Sequence, residues 1–211
     1  MRTVTIFVEG KADKRFIEDY LTKCFGVENA SKYVVSLDGK DNFWSEKELV
    51  KIVPHFEKNT DRGGANFLIF DADDDFDSRK AEILQQKEKL GIEFDLFLFP
   101  NNSDSGALEE LLYQIVNPKH EVILECFEKF QDCLKDSKND YSLPDIKAQM
   151  NSYTSALLPK KQRRFANETK RRYLNPDHWN LNAEYLQPFA NSWHLISLKN
   201  KNPRLQTETG D

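Results

Sequence analysis

Three carboxylates spaced two apart, Asp71, Asp73 and Asp75, stand together in the stretch FLIFDADDDF at residues 67–76. Carboxylates this close repel one another unless a cation or protons are shared among them. Lys58 and Arg62 precede the run and Arg79 follows it, so nothing inside it neutralises the three. A divalent metal at a strand end is the chemistry such a group suits. The plain alternative is an acidic turn capping a helix that begins near Ser78, since acids favour helix N-termini. On the motif alone the two readings are even.

Two look-alike motifs are set aside on their own residues. An EF-hand loop needs a glycine where Phe76 stands, and a helix before it where an apolar strand pattern stands instead. The D-x-D-x-T motif of aspartyl-nucleophile phosphatases needs a threonine where Asp75 stands.

The elements that must position the acids read as alternating strands and helices. Residues 4–8 (VTIFV) form a first strand ending in Glu9-Gly10, and a helix follows with Phe16, Ile17, Tyr20, Leu21, Cys24 and Phe25 on one face. Residues 32–37 form a second strand, closed by Asp38-Gly39-Lys40. The next helix carries Leu49, Ile52, Val53 and Phe56, with Pro54 expected to kink or shorten it. Residues 66–70 are the third strand, followed by a helix from about Ser78 to Leu90. Residues 94–99 are the fourth strand, and a helix carrying Leu108, Leu111, Leu112 and Ile115 comes after it. This alternation predicts an α/β fold: a Rossmann-like parallel sheet flanked by helices. Right-handed crossovers put every strand C-terminus on one edge, outside which such sheets bind ligands. Glu9, Gly39-Lys40, Asp71, Asp73, Asp75 and residues 101–105 all fall there.

A Glu-Gly ending the first strand, with D-x-D-x-D ending another, resembles the TOPRIM domain of topoisomerases, bacterial primases, small ribonucleases of rRNA maturation and overcoming-lysogenization-defect (OLD) nucleases. The resemblance covers residues 1–118. Val8-Glu9-Gly10-Lys11-Ala12-Asp13 resembles the nuclease branch, which has a second acid four residues after the first; Asp13 fills that place. Gly39-Lys40-Asp41-Asn42-Phe43 resembles that branch's Gly-rich turn, and Gly106-Ala107-Leu108-Glu109 its late Glu. Phe76, in place of a glycine, departs from type II topoisomerases. The whole most resembles a stand-alone TOPRIM-like family of bacterial proteins without assigned activity.

Phosphodiester cleavage, the activity this resemblance implies, needs charge neutralised on phosphoryl and leaving oxygens, which one or two metal ions supply. Mg²⁺ or Mn²⁺ is expected, because hard cations want oxygen ligands and no His or Cys lies at these strand ends. Glu9, Asp71 and Asp73 are the expected ligands and catalytic centre, with Asp13, Asp75 and Glu109 next in line. Lys11, Lys14 and Lys40 border the same edge and are placed to meet phosphates, although surface lysines are common. A different-class alternative is a non-catalytic TOPRIM-like module that binds nucleic acid or a partner protein.

Residues 119–198 read as a mainly helical extension, and residues 199–211 as a flexible tail. An amphipathic helix through Val122, Ile123, Cys126, Phe127, Phe130 and Cys133 is expected to turn its apolar face to the core, and residues 193–198 to add a strand. Cys24, Cys126 and Cys133 read as buried free thiols. Residues 159–172 hold seven basic residues and one Glu, a local charge of +6, so the remaining chain carries −11 of a total of −5. That concentration suits a grip on a phosphate backbone, with Tyr153, Phe165 and Tyr173 beside it for base stacking; a solvated helix face is the bland reading. OLD-like nucleases also bring a basic residue to the metal from outside the sheet, and Lys160, Lys161, Arg163 and Arg164 are the candidates. Nucleic acid is therefore the expected partner. The resemblance also implies an ATPase, here separately encoded because the chain lacks a G-x-x-x-x-G-K-[ST] loop. There is no long apolar span and no signal-peptide pattern, so a cytoplasmic, non-membrane protein is expected.

Overall fold

The computed structural model describes residues 4–37 and 46–201. Four strands, β1 (Val4–Val8), β2 (Val34–Ser36), β3 (Ala65–Asp71) and β4 (Asp95–Phe99), form one sheet in the order β2-β1-β3-β4. All pairings are parallel, with Val8 opposite Ile69 and Asp71 opposite Phe99. The helices between strands are α1 (Lys11–Phe25), α2 (Glu46–Asp61) and α3 (Phe76–Leu90). After β4 come α4 (Leu108–Gln114), α5 (Glu121–Lys135), α6 (Ile146–Leu157) and α7 (Gln187–Lys201). The α/β architecture expected from the alternation is present.

Each strand turns successive residues to opposite faces, so a sheet covered on both sides needs apolar residues at every position. Phe7, Leu68, Phe70 and Leu98 pack with Ile52 and Phe56 of α2 and Ile83 of α3. Their neighbours Ile6, Val8, Phe67, Ile69, Phe97 and Phe99 join Phe16 and Ile17 of α1 on the other face. That second core continues without a break into Met150, Tyr153, Tyr173, Trp179, Phe189, Trp193 and Ile196. Helix α1 thus covers one face while α2 and α3 cover the other, and the chain switches direction between β1 and β3. In open α/β sheets a ligand crevice forms at this switch point, outside the strand C-termini.

Several expectations are corrected here. Residues 193–198 lie inside α7 instead of adding a strand. Phe189, Trp193 and Ile196 recur at i, i+4 and i+7, a helical face that buries all three while Leu195 stays 60% exposed. Helix α2 runs through Pro54 to Asp61. Helix α5 buries only Leu124; Val122 and Phe130 are exposed, as are Cys126 and Cys133, while Cys24 is half-buried. Too little of the molecule packs over α5 for its apolar stripe to become core. No helix among the described residues is long and apolar enough to cross a membrane.

Candidate metal centre

The β1–α1 junction builds the first wall of the site. Glu9 follows Val8 at the strand end, and Gly10 caps α1. Asp13, one turn into the helix, reaches back so that its Oδ2 accepts from the Gly10 amide at 2.7 Å, as an acid at this capping position does. The contact buries Asp13 to 7% exposure. The second wall is the β3 end, where Asp71 Oδ1 accepts from the Leu108 amide at the start of α4, at 3.1 Å. Glu109, the next residue of α4, is 4% exposed and completes the cluster.

Charge decides what this cluster can do. Burial, and the carboxylates of Asp13, Glu9 and Glu109, push Asp71 well above the usual carboxylate range, although the Leu108 amide holds it down. Burial, with Glu9 and Glu109 adding to it, pushes Asp13 up to about 7 against the pull of the Gly10 amide and Lys147. Burial also raises Glu109, which Lys147 and Arg171 hold back. Glu9, Asp13, Asp71 and Glu109 therefore share one field and resist being ionised together.

The other two acids of the run turn elsewhere. Asp73 has a left-handed backbone (φ 56°) and exchanges two backbone hydrogen bonds with Gly106, at 2.9 and 2.7 Å. Gly106 itself sits at φ +133°, where a side chain would be strained and its Cβ would meet Glu110 at 3.0 Å. The Asp73 carboxylate lies 3.6 Å from Arg79 Nε. Asp75 is the N-cap of α3, accepting from the Ser78 amide at 3.1 Å and its hydroxyl at 2.7 Å, which lowers its pKa. For Asp75 the capping alternative describes the geometry.

Arg79 neutralises what the sequence left bare. Its guanidinium is 9% exposed and lies 3.9 Å from Glu9 Oε2, 3.6 Å from Asp73 and 2.8 Å from Glu82, over the Phe70 ring. Arg79 stands one turn into α3 directly behind the acidic run, and that position was the readable signal for its role. Among the described residues no three His, Cys, Asp or Glu side chains stand so as to hold one metal ion between them. The donors are all oxygen, the kind a hard cation takes, although as placed they do not close on a single point.

The cations that face the cluster come from outside the sheet, though not from the expected positions. Lys147 of α6 is raised chiefly by Glu109, with Glu168, Asp71 and Asp145 adding to it. Arg171 is 1% exposed; its Nη2 donates to Asn151 Oδ1 at 2.8 Å, while Nε and Nη1 make no hydrogen bond. Lys160, Lys161, Arg163 and Arg164 lie in an exposed 3₁₀ segment, Lys160–Phe165. Arg171 belongs to the basic run but is the buried member of it; no pattern distinguishes it from its neighbours. Tyr153 and Tyr173 are fully buried in the core, so neither can stack on a base; Phe165 is 36% exposed. Lys11 is exposed in the first turn of α1, and Lys14 pairs with Glu18 at 3.8 Å. Lys40 and the turn at 39–43 lie outside the described residues.

A family model described as "Protein of unknown function (DUF3226)" matches residues 3–192. The chain belongs to this family. No curated protein and no solved structure matches it. The DUF3226 match spans the sheet-edge acids and also Lys147 and Arg171, so the acidic cluster and the two cations facing it lie within one family unit.

Proposed function

We propose that this chain is a divalent-metal-dependent nuclease of the TOPRIM-like kind, cleaving phosphodiester bonds in nucleic acid. The observation that carries the reading is the gathering of Glu9, Asp13, Asp71 and Glu109 at the sheet's switch point, where burial raises Asp13, Asp71 and Glu109 and the charges of Glu9 and Glu109 raise Asp13 and Asp71 further. Acids held at a cost to the metal-free fold are a functional-site signal. Glu9, Asp13 and Asp71 would hold Mg²⁺ or Mn²⁺, with Glu109 completing the shell; Asp73 would join only by leaving Arg79. A bound ion would supply charge neutralisation on the phosphoryl and leaving oxygens. Lys147 faces the same acids and would meet the phosphate, while the buried Arg171 would act on it through its charge alone. The exposed Lys11, Lys160, Lys161, Arg163 and Arg164 would hold the strand by its phosphates, away from the chemistry. A separately encoded ATPase is the partner this reading favours.

The test is Glu9→Gln with Asp71→Asn, which removes charge and nearly keeps shape. At a hundredfold excess over its dissociation constant, Mn²⁺ stabilises a folded form that alone binds it by about 2.7 kcal/mol, a shift of about 5 °C or more for a chain this size. Wild type should show that shift and nick plasmid DNA or structured RNA in Mn²⁺. The double variant should lose both while melting no lower without metal. A wild-type melting curve indifferent to both ions would defeat the reading. The second reading, a non-catalytic module that binds nucleic acid or a partner protein, is favoured by Arg79, whose guanidinium already lies between Glu9 and Asp73. Stabilisation by metal without cleavage of either nucleic acid would select it.

A further inference from the structure

A cleft of 570 Å³ opens between α1, the C-terminal end of α6 and the segment at 162–178. Arg15, Lys170 and Arg172 line it together with Leu158, Phe165 and Gln162. No acid lines it. Arg15 lies 3.7 Å from Glu18 and Arg172 3.3 Å from Asp19, so both guanidinium groups are held in place yet keep donors for another acceptor. Among the described residues Lys170 makes no ion pair with an acid.

We propose that this cleft binds a nucleotide, its phosphate on Arg15, Lys170 and Arg172 and its base against Leu158 and Phe165. The volume falls in the range of small-molecule sites and is far larger than a bare phosphate needs. Three cations recognise the phosphate. Arg164 lies over the Phe165 ring at 4.9 Å, which fixes the ring as a stacking platform. Gln162 and Asn175, also lining the cleft, offer amide donors and acceptors for a base edge.

The cleft is separate from the acidic cluster but connected to it along one helix. Lys147, Asn151, Thr154 and Leu158 recur at i, i+4, i+7 and i+11, a single stripe of α6 and its C-cap. Lys147 faces Glu109, Asn151 holds Arg171, and Thr154 and Leu158 line the cleft. Seven residues of helix separate Lys147 from Thr154, roughly 10 Å at 1.5 Å per residue. At about 3.4 Å per nucleotide along a duplex strand, that is some three nucleotides. A nucleotide unit in the cleft therefore comes either from a strand that continues toward the acids or from a free mononucleotide. The proposal stands whether or not the acids cleave anything.

The test is binding in EDTA, so that no metal chemistry intervenes. AMP, adenosine and inorganic phosphate are titrated by calorimetry, and a labelled single-stranded 12-mer by anisotropy. AMP or the 12-mer should bind, more tightly than adenosine or phosphate, and Arg15→Gln with Lys170→Gln should weaken it at least tenfold at unchanged melting temperature. Phe165→Ala should weaken it without altering charge. Dependence of the 12-mer alone on these residues assigns the cleft to a strand; dependence of AMP alone assigns it to a free nucleotide. Wild type that binds either probe in EDTA yet cleaves neither nucleic acid in Mn²⁺ would count against the nuclease reading only. Binding of both probes unchanged in the cleft variants, or binding of neither by wild type, overturns the proposal.

Discussion

Arg79 and a metal ion would compete for the same negative charge. The guanidinium is buried over Phe70 and lies between Glu9 and Asp73, so its removal leaves two acids short of a counter-charge. Arg79→Met keeps much of the bulk and removes the charge. It should cost about 1–3 kcal/mol without metal, the usual penalty for stranding a buried polar partner, and should enlarge the stabilisation by Mn²⁺. Equal metal stabilisation in variant and wild type would separate Arg79 from the metal question. Protons compete in the same way. Asp13 and Asp71 hold protons more tightly in the folded chain than in the unfolded one, where an aspartate titrates near 3.9. Between roughly pH 4 and about 7 these acids therefore bind more protons in the folded state, and their contribution to stability falls as pH rises through that window. The contribution is fully present below the unfolded value and lost as pH passes the folded one. Asp71→Asn removes one of the repelling charges, so melting temperatures followed from pH 4 to 8 in EDTA should fall less steeply for the variant. Identical slopes would mean that the acids do not sense one another.

Helix α6 is the element that brings the C-terminal part of the chain to the sheet edge. Its Asp145 N-cap accepts from the Ala148 amide at 2.8 Å, fixing the first turn from which Lys147 faces Glu109. Further along, Asn151 accepts from Arg171, whose charge acts on Glu109. Asn151→Leu should leave the buried guanidinium without that acceptor, costing about 1–3 kcal/mol and lowering any cleavage more than metal binding. Loss of metal binding in equal measure would show that Arg171 merely supports the fold. Elements of this kind were hard to read in advance. The strand ends were legible because an unbroken apolar run stopped by Glu-Gly or D-x-D is a local signal, and Glu9, Asp13, Asp71 and Glu109 lie close enough to act on one another's charge. Lys147 and Arg171 were not, since only the docking of α6 against α4 puts them there, and nothing near them in sequence records it. Residues 193–198 misled for a related reason: the apolar period becomes helical only when Phe189, a turn earlier, is counted with Trp193 and Ile196.

One face of the sheet belongs to the C-terminal part of the chain. Phe189 of α7 stacks on Phe67 at 6.2 Å and meets Phe97 at 5.2 Å and Tyr20 at 5.3 Å edge-on, so it bridges β3, β4 and α1. Tyr173 meets Phe16 at 5.2 Å, and Trp179, 1% exposed, lies 5.3 Å from both Tyr173 and Tyr153. These rings and the strand residues Ile6, Val8, Phe67, Ile69, Phe97 and Phe99 make one continuous core. A fragment of residues 1–118 would expose that face of the sheet to water, and apolar area of this kind is the main favourable term in folding. The full chain should therefore melt in a single transition, since the sheet and the C-terminal helices cannot unfold separately without opening the shared core. Phe189→Ala should cost about 3–5 kcal/mol in that transition, the range for deleting a buried aromatic ring. The 1–118 fragment should show no cooperative melting and should bind a dye for exposed apolar surface. A fragment that melts cooperatively on its own would make the sheet an independent unit, and the Arg171 guanidinium a visitor to its edge.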